Sequence, residues 1–397
     1  MKKLHLIASA FLLLSPLKSM SQNTANYDEN KVPDLILSDP FVSEKGKLIQ
    51  TVSEWEKFRR PEIFRLFQDE VYGQIPKDFD KISFEVISET ANPYPEIADL
   101  EEVNITVERN GKSHTMRINF FLPKTGKGPF PVILLINYLP KYPDGKLADE
   151  AFWPVPELIK KGFATASFHA ETVAPDLADS FQNGMISTLY PEQIGQANGL
   201  KALGAWGWGA MRAMDYFQQH PKVDSKKSIL VGHSRTGKAA LWASANDPRW
   251  AFTYANESGC GGAALSKRKY GETVGAINRR FPHWFADNFQ KYNEKEEQLP
   301  LDQHLLPGLI APRAVYYSSA KGDQWADPKG EYLGIQLGSR VASEIYGKKA
   351  VFEPEFEALE GPVHLESVGY HIREGKHDLT WKDWELFLEF WDFNWKR

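Results

Sequence analysis

The chain has 397 residues, 42% of them hydrophobic and 13% aromatic, enough to bury a large core in one sizeable domain or two. Its 47 basic and 52 acidic residues are well mixed and leave a net charge of −5, so no basic stripe points to nucleic acid and no polybasic block to an anionic membrane. The one cysteine, Cys260, excludes a disulfide within the chain and a thiolate metal cluster.

The first element is an export signal. Met1-Lys2-Lys3 is a basic start, Leu6 to Leu14 is a short apolar run, and Ser19 and Ser21 stand at cleavage spacing. This predicts a signal peptide over residues 1–21 and an exported mature chain, periplasmic or secreted. No later segment is apolar enough to span a bilayer. Residues 23–47 are polar with scattered proline and read as an extended arm. Trp55 to Tyr72 reads as an amphipathic helix stopped by Gly73. Lys81 to Ser88, Glu102 to Glu108 and Ser113 to Leu122 read as strands, the last two joined by the hairpin turn Asn110-Gly111.

From Pro131 onward strands and helices alternate. Pro131 to Asn137 is nearly all apolar, as a strand covered on both faces must be. A short helix (157–161), a strand (163–168), a loop (175–190) and a helix (203–218) follow. Further strands are expected at 228–233, 250–256, 315–319 and 368–372. Helices are expected at 238–245, 281–292, 331–346 and 380–393. The pattern predicts an α/β fold in residues 22–397, one domain: a mostly parallel sheet with helices on both faces and an antiparallel N-terminal edge.

The stretch with the most chemistry in it is Gly232-His233-Ser234-Arg235-Thr236-Gly237-Lys238. A strand that breaks sharply into a helix presents its turn residue in the open, above backbone N–H groups that favour an anion. Ser234 is therefore the candidate nucleophile. A serine needs a base, and the base needs an acceptor that orients it. His377 follows the last strand and precedes the last helix, the right place on such a sheet. His371 lies inside that strand, and His283, His304 and His364 carry no partner pattern. Two acids follow strands: Glu257, and Asp323, which the residues alone slightly favour. The Arg235 backbone N–H and guanidinium are placed to hold an oxyanion. Arg235 and Lys238 are two cations at one helix N-terminus, a poor place for positive charge, which suggests an anionic or strongly hydroxylated substrate. No metal-binding spacing and no nucleotide loop occur, so no cofactor is expected.

Several segments stand out together: the Ser234 turn, Glu257-Ser258-Gly259-Cys260-Gly261-Gly262, Phe281-Pro282-His283-Trp284-Phe285, Leu299-Pro300-Leu301-Asp302-Gln303-His304, Leu309-Ile310-Ala311-Pro312-Arg313 and Asp323-Gln324-Trp325. In this order they resemble the glucuronoyl esterase family, α/β-hydrolase carbohydrate esterases acting on plant cell walls. Phe58-Arg59-Arg60-Pro61-Glu62 and Val71-Tyr72-Gly73 are similar to bacterial members. His233 stands where fungal members carry a disulfide-forming cysteine. The resemblance implies a three-layer α/β-hydrolase in which Ser234 is the nucleophile, His377 the base and Arg235 the oxyanion-side arginine. It moves the acid to Glu257, while some bacterial members use the later loop, so Glu257 and Asp323 both stand. Lys238, Glu272 and Trp325 match sugar-contacting positions. The implied reaction is hydrolysis of an ester on the carboxyl of glucuronic or 4-O-methylglucuronic acid, the alcohol being a lignin-type alcohol or methanol. The expected partner is that carbohydrate ester, and the expected state is a monomer. An acetyl-xylan or related deacetylase and a non-catalytic glycan-binding protein are the alternatives.

Overall fold

The computed structural model describes residues 25–89, 91–139 and 151–395. The predicted export signal lies outside them. The strands are β1 (Lys81–Ile87), β2 (Ala98–Arg109), β3 (Lys112–Pro123), β4 (Phe130–Asn137), β5 (Ala164–His169), β6 (Val223–His233), β7 (Phe252–Asn256), β8 (Ala314–Ala320), β9 (Val363–His364) and β10 (Val368–Arg373). All ten form one sheet in the order β1-β2-β3-β5-β4-β6-β7-β8-β10-β9. From β5 to β10 neighbouring strands run parallel. The β1–β3 meander joins antiparallel, β3 against β5, and β9 closes the other edge antiparallel. The expected layout holds: a parallel centre with an antiparallel N-terminal edge.

The apolar run of β4 shows why it is central. Val132, Leu134 and Ile136 enter one buried cluster, while Ile133 and Leu135 enter another. Side chains alternate across a strand, so a strand covered twice needs apolar residues at every position. The helices are α1 (52–72), α2 (Val155–Lys160), α3 (Met185–Leu189), α4 (Ala202–Gln219), α5 (Arg235–Asn246), α6 (Val274–Arg280), α7 (Leu305–Ile310), α8 (Pro328–Arg340) and α9 (Trp381–Trp395). The larger cluster includes residues of α1, α4, α5 and α8; the smaller includes residues of α2 and α9.

Local chemistry accounts for several details. In α1 the Arg60 N–H donates to Trp55 O, a wider π-type turn just before Pro61. Proline has no N–H to give, so the helix accommodates it by a register change. Helix α7 and the short edge strand β9 are not among the expected elements, and the structure differs from expectation in two further places. The 175–190 loop contains the short helix α3. The helical stretch expected over 281–292 begins earlier, as α6, where the Thr273 side chain accepts the Ala276 N–H. Pro282 follows the end of α6, and 3₁₀ winding resumes only at Asp287–Tyr292. The N-terminal arm is extended and docked: the Ile36 and Ser38 carbonyls meet Lys267 Nζ (3.1 Å) and His304 Nε2 (2.9 Å). Among the described residues no helix is long and apolar enough to cross a membrane.

Candidate active site

Ser234 sits between the last residue of β6 and the first of α5, at φ 55° and ψ −122°. A non-glycine residue in this left-handed region costs on the order of 1–3 kcal/mol unless its surroundings fix it. They do. The Ser234 N–H donates to Asn256 O at 2.9 Å, and Thr236 Oγ1 accepts the His233 N–H at 3.1 Å. The flanking glycines are required sterically. A Cβ on Gly232 would lie 2.1 Å from Thr236 O, and one on Gly237 would lie 3.0 Å from Ser258 Cβ. The turn can be this sharp, and α5 can pack this close, only without those side chains.

Ser234, Arg235, Lys238, Glu257, Glu272, Asp323, Trp325 and His377 all line one cleft of about 280 Å³, with Gly259, Arg280, Phe281, Trp284 and Ala326. Every residue singled out from the sequence is therefore in the same place. His377 Nδ1 lies 2.6 Å from Asp323 Oδ2 and 3.1 Å from Glu257 Oε2. Burial pushes the imidazole pKa down. Hydrogen bonding and charge from Asp323, then from Glu257, outweigh burial and lift it to about 9. Burial raises the Glu257 carboxyl to about 7, against the opposing pull of His377 and Arg373. A grouping of two carboxylates and one histidine with ligand atoms within 4.8 Å has the composition of a metal site. Here those atoms bond to one another, which is also the arrangement that orients a general base.

The cations read as misplaced at the α5 N-terminus are corrected by their partners. Arg235 Nη1 pairs with Asp176 Oδ2, and its guanidinium lies over the rings of Tyr138, Trp284 and Phe281 at 4.8, 4.9 and 5.4 Å. Lys238 is 4% exposed and donates to the Ser258 carbonyl. Burial lowers the pKa of its ammonium, and Glu272 opposes that. Glu272 is shifted up by burial, against Lys238 and the Trp325 side chain. The cleft thus carries an arginine fixed by a carboxylate and a buried lysine that feels the charge of Glu272, with an exposed indole at its edge.

Comparison with known proteins places the chain in a family. A family model described as glucuronyl esterase of fungi matches residues 105–348. A carbohydrate esterase from an unknown prokaryotic organism is 34% identical over 92% of this chain and 91% of its own length. The chain belongs to the glucuronoyl esterase family. A 4-O-methyl-glucuronoyl methylesterase of Podospora anserina is 31% identical over 75% of this chain and 58% of its own length. The solved structure of a glucuronoyl esterase from Solibacter usitatus is 36% identical. It superposes with a TM-score of 0.81, covering 92% of this chain and 100% of that one. The protein is accordingly a carboxylic ester hydrolase on an α/β-hydrolase fold.

In this glucuronoyl esterase the roles of three further residues at the site are not read from the sequence. Asp176, in the stretch read only as loop, accepts His283 Nε2 at 2.8 Å and Trp284 Nε1 at 2.7 Å besides Arg235. Burial would raise its pKa, yet these partners draw it down to about 2. His283 has a partner after all, and it is part of the anchor for Arg235. Arg373 donates to Glu257 Oε1 and to Asp383 Oδ2, both at 2.7 Å, and to the carbonyls of Lys376 and Asp378. It gathers the loop that carries His377. His233 packs its ring 4.5 Å from that of His377. Burial, then the charge of His377, lowers its pKa to about 3, so it backs the site as a neutral ring. His371, the competing histidine, is buried between Asp383 and Tyr316, while His304 and His364 contact Ser38 O and Tyr316 Oη.

Proposed function

We propose that this protein hydrolyses esters formed by the carboxyl of glucuronic or 4-O-methylglucuronic acid with lignin-type alcohols or methanol. Ser234 Oγ attacks the ester carbonyl while His377 takes its proton, and Asp323 holds the imidazole in the required tautomer. Negative charge develops on the carbonyl oxygen against the Arg235 backbone N–H and guanidinium, the latter held still by Asp176. His377 returns the proton to the departing alkoxide. Water then attacks the acyl-enzyme, His377 takes a proton from it, and the uronic acid leaves with Ser234 restored. Lys238 and Glu272 bind the sugar hydroxyls, and the Trp325 ring lies against the sugar face. Glu257 is the second acid at His377. No step calls on a metal or cofactor. In the same reading residues 22–397 act as one esterase domain, a monomer, exported by the signal at residues 1–21.

The observation that carries this reading is the placement of Ser234 in one cleft with a histidine whose Nδ1 is bound by a carboxylate. The test is hydrolysis of benzyl glucuronate set against acetylated xylan and p-nitrophenyl acetate. A higher kcat/KM on benzyl glucuronate is expected. Preference for the acetyl esters would overturn it in favour of a deacetylase.

A further inference from the structure

The edge of the cleft that carries Glu272 and Trp325 continues into the N-terminal arm, which the reaction does not use. Consecutive N–H groups of residues 271 and 272 point to opposite sides: Gly271 donates to Asn26 O at 2.8 Å, and Glu272 donates to Trp325 O at 2.9 Å. The segment 270–272 is thus bonded to the N-terminal arm on one side and to the Trp325 turn on the other, so that three segments lie together at the rim. Each outer segment carries an exposed ring, Tyr27 at 52% and Trp325 at 37%, while Tyr270 between them is 7% exposed.

The arm is held firmly there. Arg268, which is buried, donates to Glu29 Oε1 at 2.6 Å and to Asp327 Oδ2 at 2.8 Å. The Tyr27 ring stands at 86° to that of Tyr270, with centroids 6.0 Å apart, and Tyr270 Oη donates to Gln324 Oε1 at 2.5 Å. An exposed tyrosine on a loose terminus would be unremarkable. This one is fixed by an ion pair from Glu29 to the buried Arg268, which also holds Asp327, and by an aromatic contact to Tyr270, whose hydroxyl is bonded to Gln324 beside Trp325. A rigid ring with an apolar face and a polar tip suits a sugar, which presents both.

Resting on the uronoyl esterase reading, we propose that Tyr27 and Trp325 form a two-ring ledge for the xylan chain that carries the esterified uronate. Trp325 serves the sugar at the cleft, and Tyr27 serves a residue further along the glycan. The full mature chain and its Tyr27→Ala and Tyr27→Phe variants test this on two esters: benzyl glucuronate, and the same ester borne on a xylo-oligosaccharide. Tyr27→Ala should lower kcat/KM on the oligosaccharide ester roughly two- to tenfold, mainly through KM, and leave benzyl glucuronate unchanged. Tyr27→Phe, which keeps the ring, should retain most of the oligosaccharide rate. Equal losses on both esters, or no loss on either, would overturn the ledge. Wild-type protein inactive on both esters would instead overturn the esterase reading beneath it.

Discussion

Two acid loops reach the same imidazole, and they are built differently. Glu257 is 1% exposed, takes a left-handed backbone at φ 44°, and gives its Oε1 to Arg373. Its other oxygen is shared between His377 Nδ1 at 3.1 Å and the Asp378 N–H at 3.2 Å. Asp323 follows β8 in a short turn, is 8% exposed, and lies 2.6 Å from the same nitrogen. Among the described residues Asp323 has no lysine or arginine partner in an ion pair. One carboxylate is thus committed chiefly to holding the histidine loop, the other to the histidine. Proximity to a catalytic group does not by itself assign a role; the remaining partners of each oxygen do.

The floor for this comparison is the loss of the nucleophile. Ser234→Ala should lower kcat roughly 10⁴- to 10⁶-fold with the melting temperature nearly unchanged, since the triad acts as a unit. A residual rate within about 100-fold of wild type would remove Ser234, and with it the meaning of both acids. Next comes Arg373→Met, which keeps bulk and removes charge. It leaves Glu257 and Asp383 buried without their shared cation, and breaking a buried pair typically costs about 3–5 kcal/mol. Urea denaturation should show the midpoint falling at unchanged slope. A loss below about 1 kcal/mol would mean that the Glu257 loop does not depend on the clamp.

The difference between the loops also shows which parts of this site sequence reasoning reaches. The Ser234 turn is legible because its causes are local: a strand, a glycine that tolerates no Cβ and a second with little room for one, and a helix follow one another within a few residues. His377 and both acids are legible because a parallel sheet puts loops at one end, so a chemical residue just after a strand is already in the right region. Asp176 and Arg373 are not, because the links that matter, Asp176 to Arg235 and Arg373 to Glu257, span 59 and 116 residues and no spacing announces them. The Asp176 stretch reads as loop and gives no pointer to a partner, and β10 looks like any short strand until Arg373 is seen between two carboxylates. The displaced helix near residue 281 is a local failure of a different kind. Aromatic spacing suggested a helix, and Pro282, with Thr273 capping upstream, moved it.

Smaller effects separate the acids directly. In the wild type the imidazole is held up near pH 9, and only its neutral form accepts a proton from Ser234. The rate kcat/KM should therefore climb with pH and level off above about 9. Asp323→Asn removes the nearest negative charge, so His377 loses its proton more readily and the rising limb should move to lower pH. Orientation is lost as well, and kcat at the plateau should fall about 100-fold, less than for a triad with no second acid. A limb that stays in place would show that Asp323 does not set the histidine.

Glu257→Gln should do the least to the chemistry. Glutamine keeps a carbonyl for Arg373 and cannot supply charge to the imidazole. The limb should move down by less than in Asp323→Asn, and kcat should fall by about tenfold or less. The double variant then decides whether the second carboxylate covers for the first. With Asp323 gone, Glu257 Oε2 at 3.1 Å is the remaining acceptor for Nδ1. Taking both away should cost more than the product of the two single losses, by roughly another tenfold, because each single variant keeps one oriented carboxylate. A strictly multiplicative double would mean that Glu257 never takes the imidazole. A larger fall for Glu257→Gln than for Asp323→Asn would reverse the order that 2.6 and 3.1 Å imply.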